Sequence, residues 1–303
     1  MNNFDDIIIN APETGTPTNE GQAPQLSKED YAAKKKTERE GVFALADSTA
    51  MSVAEGGDKF KQFLDVQSTF DRYSAVNTLL IMAQKPEATR LGDFDHWKEK
   101  GGYIKQGQTA IAILEPQEYT KEDGTPGIGY NIKKVFDISQ VDSRNVKKFP
   151  TPTYTDRQLL TALVSKAPVT ITSVEQLPDN IGATTNIETG EISVRKGMEF
   201  ADLFRSISQE LAYTAVVYRD ANDNTPQDAR FTAYCASYAV CKKYGIDTQS
   251  FDFEKAAEVF DGMEPQEVKN ELSYINKAVE SITERMAKQL DAAQKAARNT
   301  EAR

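Results

Sequence analysis

The sequence predicts an α+β protein of two domains closed by a long C-terminal helix, and three observations carry that prediction. The apolar period changes along the chain from helical to alternating and back to helical. A proline-rich break, "KKFPTPTYTD", interrupts it at 147–156. Near the C-terminus Val268, Leu272, Ile275, Val279, Ile282, Met286 and Leu290 recur three or four apart, an a/d-like seam on one helix.

Residues 1–26 are polar and rich in Pro, Gly, Thr and Asn, so they are expected to form a disordered arm. Ser27, followed three residues later by Asp30, resembles a capping box and opens a helix. Phe60, Phe63, Leu64, Phe70, Tyr73, Val76, Leu80 and Ile81 then predict one or two amphipathic helices, which Pro86 ends. "TAIAILEPQEY" and "GIGYNIKKVFDISQ" are short, alternating and β-branched. With the turn chemistry of "KEDGTPG" between them they read as a hairpin or two neighbouring strands. After the break come a short helix ("DRQLLTALVSKA"), a strand ("VTITSV") and two strands around "ETGE". Two helices follow, "EFADLFRSISQELAYTAVVYR" and "PQDARFTAYCASYAVCKKYG", the second stopped by Gly245. The expected divisions are an arm at 1–26, a first domain at 27–148, a second at 155–262 and a C-terminal amphipathic helix at 264–298. That last helix either packs on its own domain or pairs as a coiled coil.

Bulk composition narrows the function classes. A chain of 303 residues with 39% hydrophobic content can bury two cores, and it contains no apolar run able to span a membrane. The N-terminus carries acids where a signal peptide needs bases, so the expected compartment is the cytoplasm. Cys235 and Cys241 sit six apart with no histidine beside them, which suits reduced core thiols rather than a disulfide or zinc site. The net charge of −10 argues against indiscriminate coating of duplex nucleic acid. It is unevenly spread. Residues 59–150 carry fourteen Lys and Arg against twelve Asp and Glu, leaving the −12 balance to the rest of the chain.

Within that less acidic stretch, aromatic and basic residues interleave: Arg72–Tyr73, Trp97–Lys98, Lys100, Tyr103–Lys105, and Tyr130 with Lys133 and Lys134. Single-strand binding needs such a cationic track with flat rings for base stacking. Asn77 and Gln84 add hydrogen-bonding groups. Each has a structural alternative. Trp97 can be core, Tyr73 and Asn77 can tie a helix down, and only one of Lys133 and Lys134 can face a ligand. His96, the single histidine, reads as a surface or capping residue.

The ordered set Tyr73, Ser74, Asn77, Gln84, Pro86, Phe94, Trp97, Gly102, Lys105, Gly107, Val135, Phe136, Asp137 and Gln140 resembles the N-terminal domain of the ArdC-type antirestriction and LtrC-like proteins of conjugative elements. The resemblance implies an α+β domain of single-stranded-DNA-binding type.

The helix "SISQELAYTAVV" at 206–217 poses a second question. A His-Glu-x-x-His helix places two imidazoles on one face for zinc, with the glutamate activating the bound water. Here Gln209-Glu210-Leu211-Ala212-Tyr213 occupies that spacing. Its surroundings are similar to the zincin-like metallopeptidase domains that accompany LtrC-like DNA-binding domains, where an acid early in the next helix completes the site. That position falls on Thr232 or Tyr234. Gln and Tyr are poor zinc ligands, so the expectation is no bound metal or cofactor and no catalytic residue, with Gln209, Glu210, Tyr213 and Thr232 vestigial. Tyr213 and Gln209 are expected to fill the former pocket, bonded to each other or to Glu210. The other reading is a core helix that happens to spell this motif.

The expectation is therefore an α+β chain with an N-terminal single-stranded-DNA-binding domain, a degenerate zincin-like α+β domain and a long C-terminal helix. It would act as a non-enzymatic DNA-binding accessory protein of a mobile element, with a protein partner for the second domain or last helix and no membrane partner. Its rivals are an acidic protein-interaction module that mimics DNA, and a metallopeptidase with an unorthodox site.

Overall fold

The computed structural model describes residues 27–121, 124–144, 146, 152–218 and 226–301. The expected arm at 1–26 and the first part of the 147–156 break lie outside these residues. In chain order, the first half comprises α1 (Lys28–Ala54), α2 (Gly57–Thr69), α3 (Ala75–Gln84), β1 (Leu91–Gly92), α4 (Phe94–Glu99), β2 (Tyr103–Ile104), β3 (Ile111–Thr120), β4 (Pro126–Asp137) and β5 (Val141–Asp142). The second half comprises α5 (Asp156–Val164), β6 (Ile171–Val174), β7 (Ala183–Thr185), β8 (Ile192–Arg195), α6 (Phe200–Val217), α7 (Ala229–Tyr244), α8 (Ala256–Val259) and α9 (Pro265–Glu301). The α+β class follows directly from this order.

The chain divides into two compact units, Met1–Thr49 with Leu79–Lys148, and Ala50–Thr78 with Phe149–Arg303. In the first, the Ser27 hydroxyl accepts the Asp30 amide at 3.0 Å and donates to the Asp30 carboxylate at 2.6 Å, capping α1. β3 and β4 form the expected hairpin, antiparallel from Ile111↔Val135 to Thr120↔Pro126, and β1 pairs with the far end of β4. The pattern of burial explains the two ends of the hairpin. Ile111–Leu114 is buried, whereas Glu115–Thr120 is exposed, so the outer half stands as a two-stranded ribbon. A separate pairing of β2 with β5 is covered by Trp97, Val141 and Val146, with Ile104, Phe136 and Ile138 packed around them.

The second unit joins a small sheet to a helical layer. β6 runs parallel to β8, and β7 runs antiparallel to it on the other side, giving the order β6-β8-β7. Ile192 and Val194 of β8 point inward, while α6 buries Phe204, Ile207, Leu211 and Val216. Gly182, just before β7, has no room for a side chain, because a Cβ there would overlap the Ser206 hydroxyl on α6. Asp228 caps α7 by accepting the Arg230 and Phe231 amides, and Gly245 at φ 72° ends it in the left-handed conformation. The α9 seam is buried along its length, from Val268 to Leu290, and α9 packs on α5, α6 and α7. Packing on its own unit is thus the reading of that seam which the structure bears out.

Residues 50–78, which the sequence reading placed with the N-terminal block, pack with this second unit. Phe60 of α2 stacks on Phe231 at 5.5 Å between ring centres and touches Phe253 and Phe260. Asp65 accepts the Tyr238 hydroxyl at 2.6 Å, and Asp71 pairs with Lys243 at 2.9 Å. An amphipathic stripe states that a face will be buried without stating against what.

Candidate functional site

The residues singled out in the sequence separate into exposed and structural groups. Trp97 is 1% exposed, and its indole nitrogen donates to the Phe136 carbonyl at 2.9 Å, so its ring is a core element rather than a stacking platform. Gln84 spends its amide on backbone groups, donating to the Leu80 and Ala112 carbonyls and accepting the Ala112 amide, all at 2.9 Å. That ties α3 to β3. Lys133 lies between Glu115 at 2.9 Å and Asp93 at 3.2 Å, which hold its ammonium above the ordinary lysine pKa, and Lys134 pairs with Glu38. Arg72, Tyr73 and Asn77 belong to the second unit. There Asn77 is buried, and the Tyr73 carbonyl accepts the Asn276 side chain at 3.0 Å.

What remains exposed in the first unit is Tyr130 on β4, edge-on to Phe43 at 6.4 Å between ring centres, and a group centred on α4 and β2. Lys98, Lys100, Tyr103 and Lys105 are exposed, Tyr103 at 63%. Phe94, which the family pattern contained but the DNA-contact reading left out, is 49% exposed. Its signal in the sequence was its spacing. Phe94 and Lys98 lie four apart on α4 and therefore on one face. Tyr103 and Lys105 lie two apart on an extended segment, again on one side. Asp93 accepts the His96 amide at 2.8 Å to start α4, and that bond holds the Asp93 carboxyl below its usual pKa. His96 thus serves the cap with its backbone, while its exposed ring packs edge-on against Trp97.

On α6 the outcome differs from the expected one. Gln209 and Tyr213 do not close the site on each other or on Glu210. Glu210 is buried, and each of its oxygens has a different partner. One accepts the Thr185 hydroxyl of β7 at 2.6 Å, and the other accepts Arg230 Nη1 of α7 at 2.7 Å. The guanidinium carbon of Arg230 lies 3.5 Å from the centre of the Tyr213 ring, a cation–π contact. Gln209 lines an adjoining cavity. Thr232, the expected acid position, is buried and turns its hydroxyl back onto the Asp228 carbonyl at 3.0 Å. Tyr234 instead accepts the Asp252 amide at 2.7 Å. The sequence reading missed Arg230 and Thr185. Arg230 stood two residues from the position considered, and nothing in the strand sequence marks Thr185.

The donor set does not fit a zinc ion. The spacing that would supply two imidazoles supplies a carboxamide and a phenol, and a guanidinium lies against the glutamate. Among the described residues no three His, Cys, Asp or Glu side chains converge on a metal-sized site. Cys235 and Cys241 are buried in α7, and burial pushes the Cys241 thiol up to about 12 and Cys235 well above its ordinary value.

Comparison with known proteins adds a family match for part of the chain. Crystal structures of the antirestriction ArdC protein from the R388 plasmid align with the chain in two forms. The metal-free form is 16% identical, covering 71% of this chain and 86% of that one at a TM-score of 0.48. The Mn(II)-bound form is 15% identical, covering 71% and 85% at a TM-score of 0.47. Comparison with curated proteins gives no match. Among the described residues no helix is long and apolar enough to cross a membrane. The family model described as the N-terminal domain of anti-restriction factor ArdC matches residues 48–151, the stretch that carries α2 to β5.

Proposed function

We propose that this chain is a non-enzymatic accessory protein of a mobile genetic element that binds single-stranded DNA and acts in antirestriction. The observation that carries this reading is the ArdC-type domain at 48–151. The exposed Phe94, Lys98, Lys100, Tyr103 and Lys105 support it, because they combine two rings with three cations on neighbouring elements. The degenerate zincin-like domain is the matching part of the proposal. Both oxygens of Glu210 are taken by Arg230 and Thr185, and the positions that would carry imidazoles hold Gln209 and Tyr213, a set that supports a structural role for the glutamate. The chain then contributes binding rather than hydrolysis, in the cytoplasm where incoming DNA arrives.

The test is fluorescence anisotropy with single- and double-stranded 20-mers at low and moderate salt. The expected result is preferential binding of the single strand, weakened by Tyr103→Ala and by Lys98→Ala with little change in melting temperature. Absence of single-strand binding at low salt would remove the reading.

A further inference from the structure

We infer that the outer half of the β3–β4 hairpin is a docking ribbon for a protein partner, one whose surface offers an apolar groove edged by lysine or arginine. The cross-strand register divides the ribbon into two faces. On one face Tyr119 opposes Gly127, Gln117 opposes Gly129 and Glu115 opposes Asn131. Its own side chains close that face. A Cβ at Gly127 would fall 2.7 Å from Tyr119 Cζ, so the ring lies directly on the glycine backbone. Asn131 donates to Gln117, and Lys133 pairs with Glu115 at 2.9 Å. Such cross-strand pairs stiffen a ribbon whose outer half stands in solvent.

The other face is left open. There Pro116 opposes Tyr130, Glu118 opposes Ile128 and Thr120 opposes Pro126. Ile128 is 66% exposed and Tyr130 45%, so the face is apolar, with the exposed Glu118 carboxylate among the apolar groups. An exposed apolar surface with a polar rim is the kind that meets a partner. The edge of the ribbon is not what it offers. Gln84 takes both backbone groups of Ala112, so the even-numbered residues of β3 turn their peptide groups away from β4. Pro116 is one of these, and it has no N–H to give an added strand. That blunts the edge against a second copy of the chain and leaves the face as the contact.

Charge selects the chemistry of the partner. Residues 115–131 carry Glu115, Glu118, Glu122 and Asp123 against Lys121 alone. Lys134, on the same side of β4 as Ile128 and Tyr130, is paired with Glu38 at 3.4 Å. A phosphate backbone would therefore meet net negative charge on this ribbon, whereas Lys98, Lys100 and Lys105 offer it cations elsewhere in the unit. A basic rim on a protein complements the acids, and the Ile128 and Tyr130 side chains fill its groove.

The probe is a phage-displayed library of random dodecapeptides, selected on the full chain and counter-selected on its Ile128→Ser variant, with enriched sequences resynthesised carrying a fluorophore. The expected consensus joins large apolar residues to at least one lysine or arginine. In anisotropy titrations Ile128→Ser and Tyr130→Ser should each weaken these peptides at least tenfold. Glu118→Gln should weaken them several-fold, by a factor that shrinks as salt rises. Ile128 and Glu118 are exposed, so neither change should lower the melting temperature. Tyr103→Ala should leave peptide binding intact, and Ile128→Ser should leave dT20 binding intact, so this inference and the strand-binding reading fail separately. Lack of enrichment, a consensus without a basic residue, full-strength peptide binding by Ile128→Ser, or displacement of the peptide by dT20 would each overturn the inference.

Discussion

The Glu210–Arg230 pair decides what the α6 helix can do. A carboxylate buried to this degree is costly unless both oxygens are satisfied, and here a hydroxyl and a guanidinium satisfy them. Arg230→Ala leaves Glu210 with Thr185 alone, and should cost about 1–3 kcal/mol in urea unfolding. Glu210→Gln in the Arg230→Ala background should recover part of that loss, since the uncompensated charge disappears with it. Equal and additive losses would show that the two side chains are not coupled. Asp137 is the corresponding residue of the first unit. Burial alone would raise its pKa, but the Arg90 amide, the Ser139 side chain, and the Thr89 and Ser139 amides outweigh that and hold it below the usual carboxyl value. A lowered folded pKa contributes stability above the unfolded value, about 3.9, and that contribution is lost as pH falls through the folded one. Asp137→Asn should therefore destabilise by about 1–3 kcal/mol at pH 7, and the gap from the parent should narrow at pH 3. An undiminished gap at pH 3 would assign the effect to packing instead of charge.

At the scale of elements, α9 offers the cleanest test. Its seam, Val268 to Leu290, is buried against α5, α6 and α7, and Arg285 donates to the Leu163 and Ser165 carbonyls at the end of α5. Ile275→Ala should thus cost about 2–5 kcal/mol, with a melting temperature independent of protein concentration. A concentration-dependent melt would restore the coiled-coil pairing. Elements of this kind were legible because a helix buried on one side writes its period into the sequence, as α9 does, and because a hairpin writes alternation and a turn, as β3 and β4 do. The partner of a buried face is not written the same way. Phe60 announced burial, yet its stacking on Phe231 lies far along the chain. The Glu210 site was legible only from one side for a related reason. Its own spacing on α6 is local, while Thr185 and Arg230 arrive from a strand and a helix whose arrangement the spacing does not encode. Trp97 and Gln84 were recognisable as landmarks, and the structure gives them packing and backbone-bonding duties.

For the whole molecule, the proposed function asks how a chain of net charge −10 would hold a polyanion. A diffuse field of that sign opposes the encounter, so the proposed binding would rest on few local cations and on stacking, which is insensitive to net charge. The exposed set fits that demand, with Lys98, Lys100 and Lys105 beside Phe94 and Tyr103. Three phosphate contacts on a single strand give a plot of log affinity against log salt with a slope of about −2. Lys98→Ala should make that slope shallower by about 0.7. Tyr103→Ala should instead lower affinity by about 1–3 kcal/mol at every salt concentration, leaving the slope alone, because a lost stack releases no counterion. Anisotropy titrations of dT20 over a range of KCl concentrations separate the two effects in one data set. A parent slope steeper than about −5 would mean that many more cations engage the strand than α4 and β2 supply. A Tyr103→Ala variant that changed the slope but not the affinity would remove the ring from the contact and leave the lysines as its whole basis.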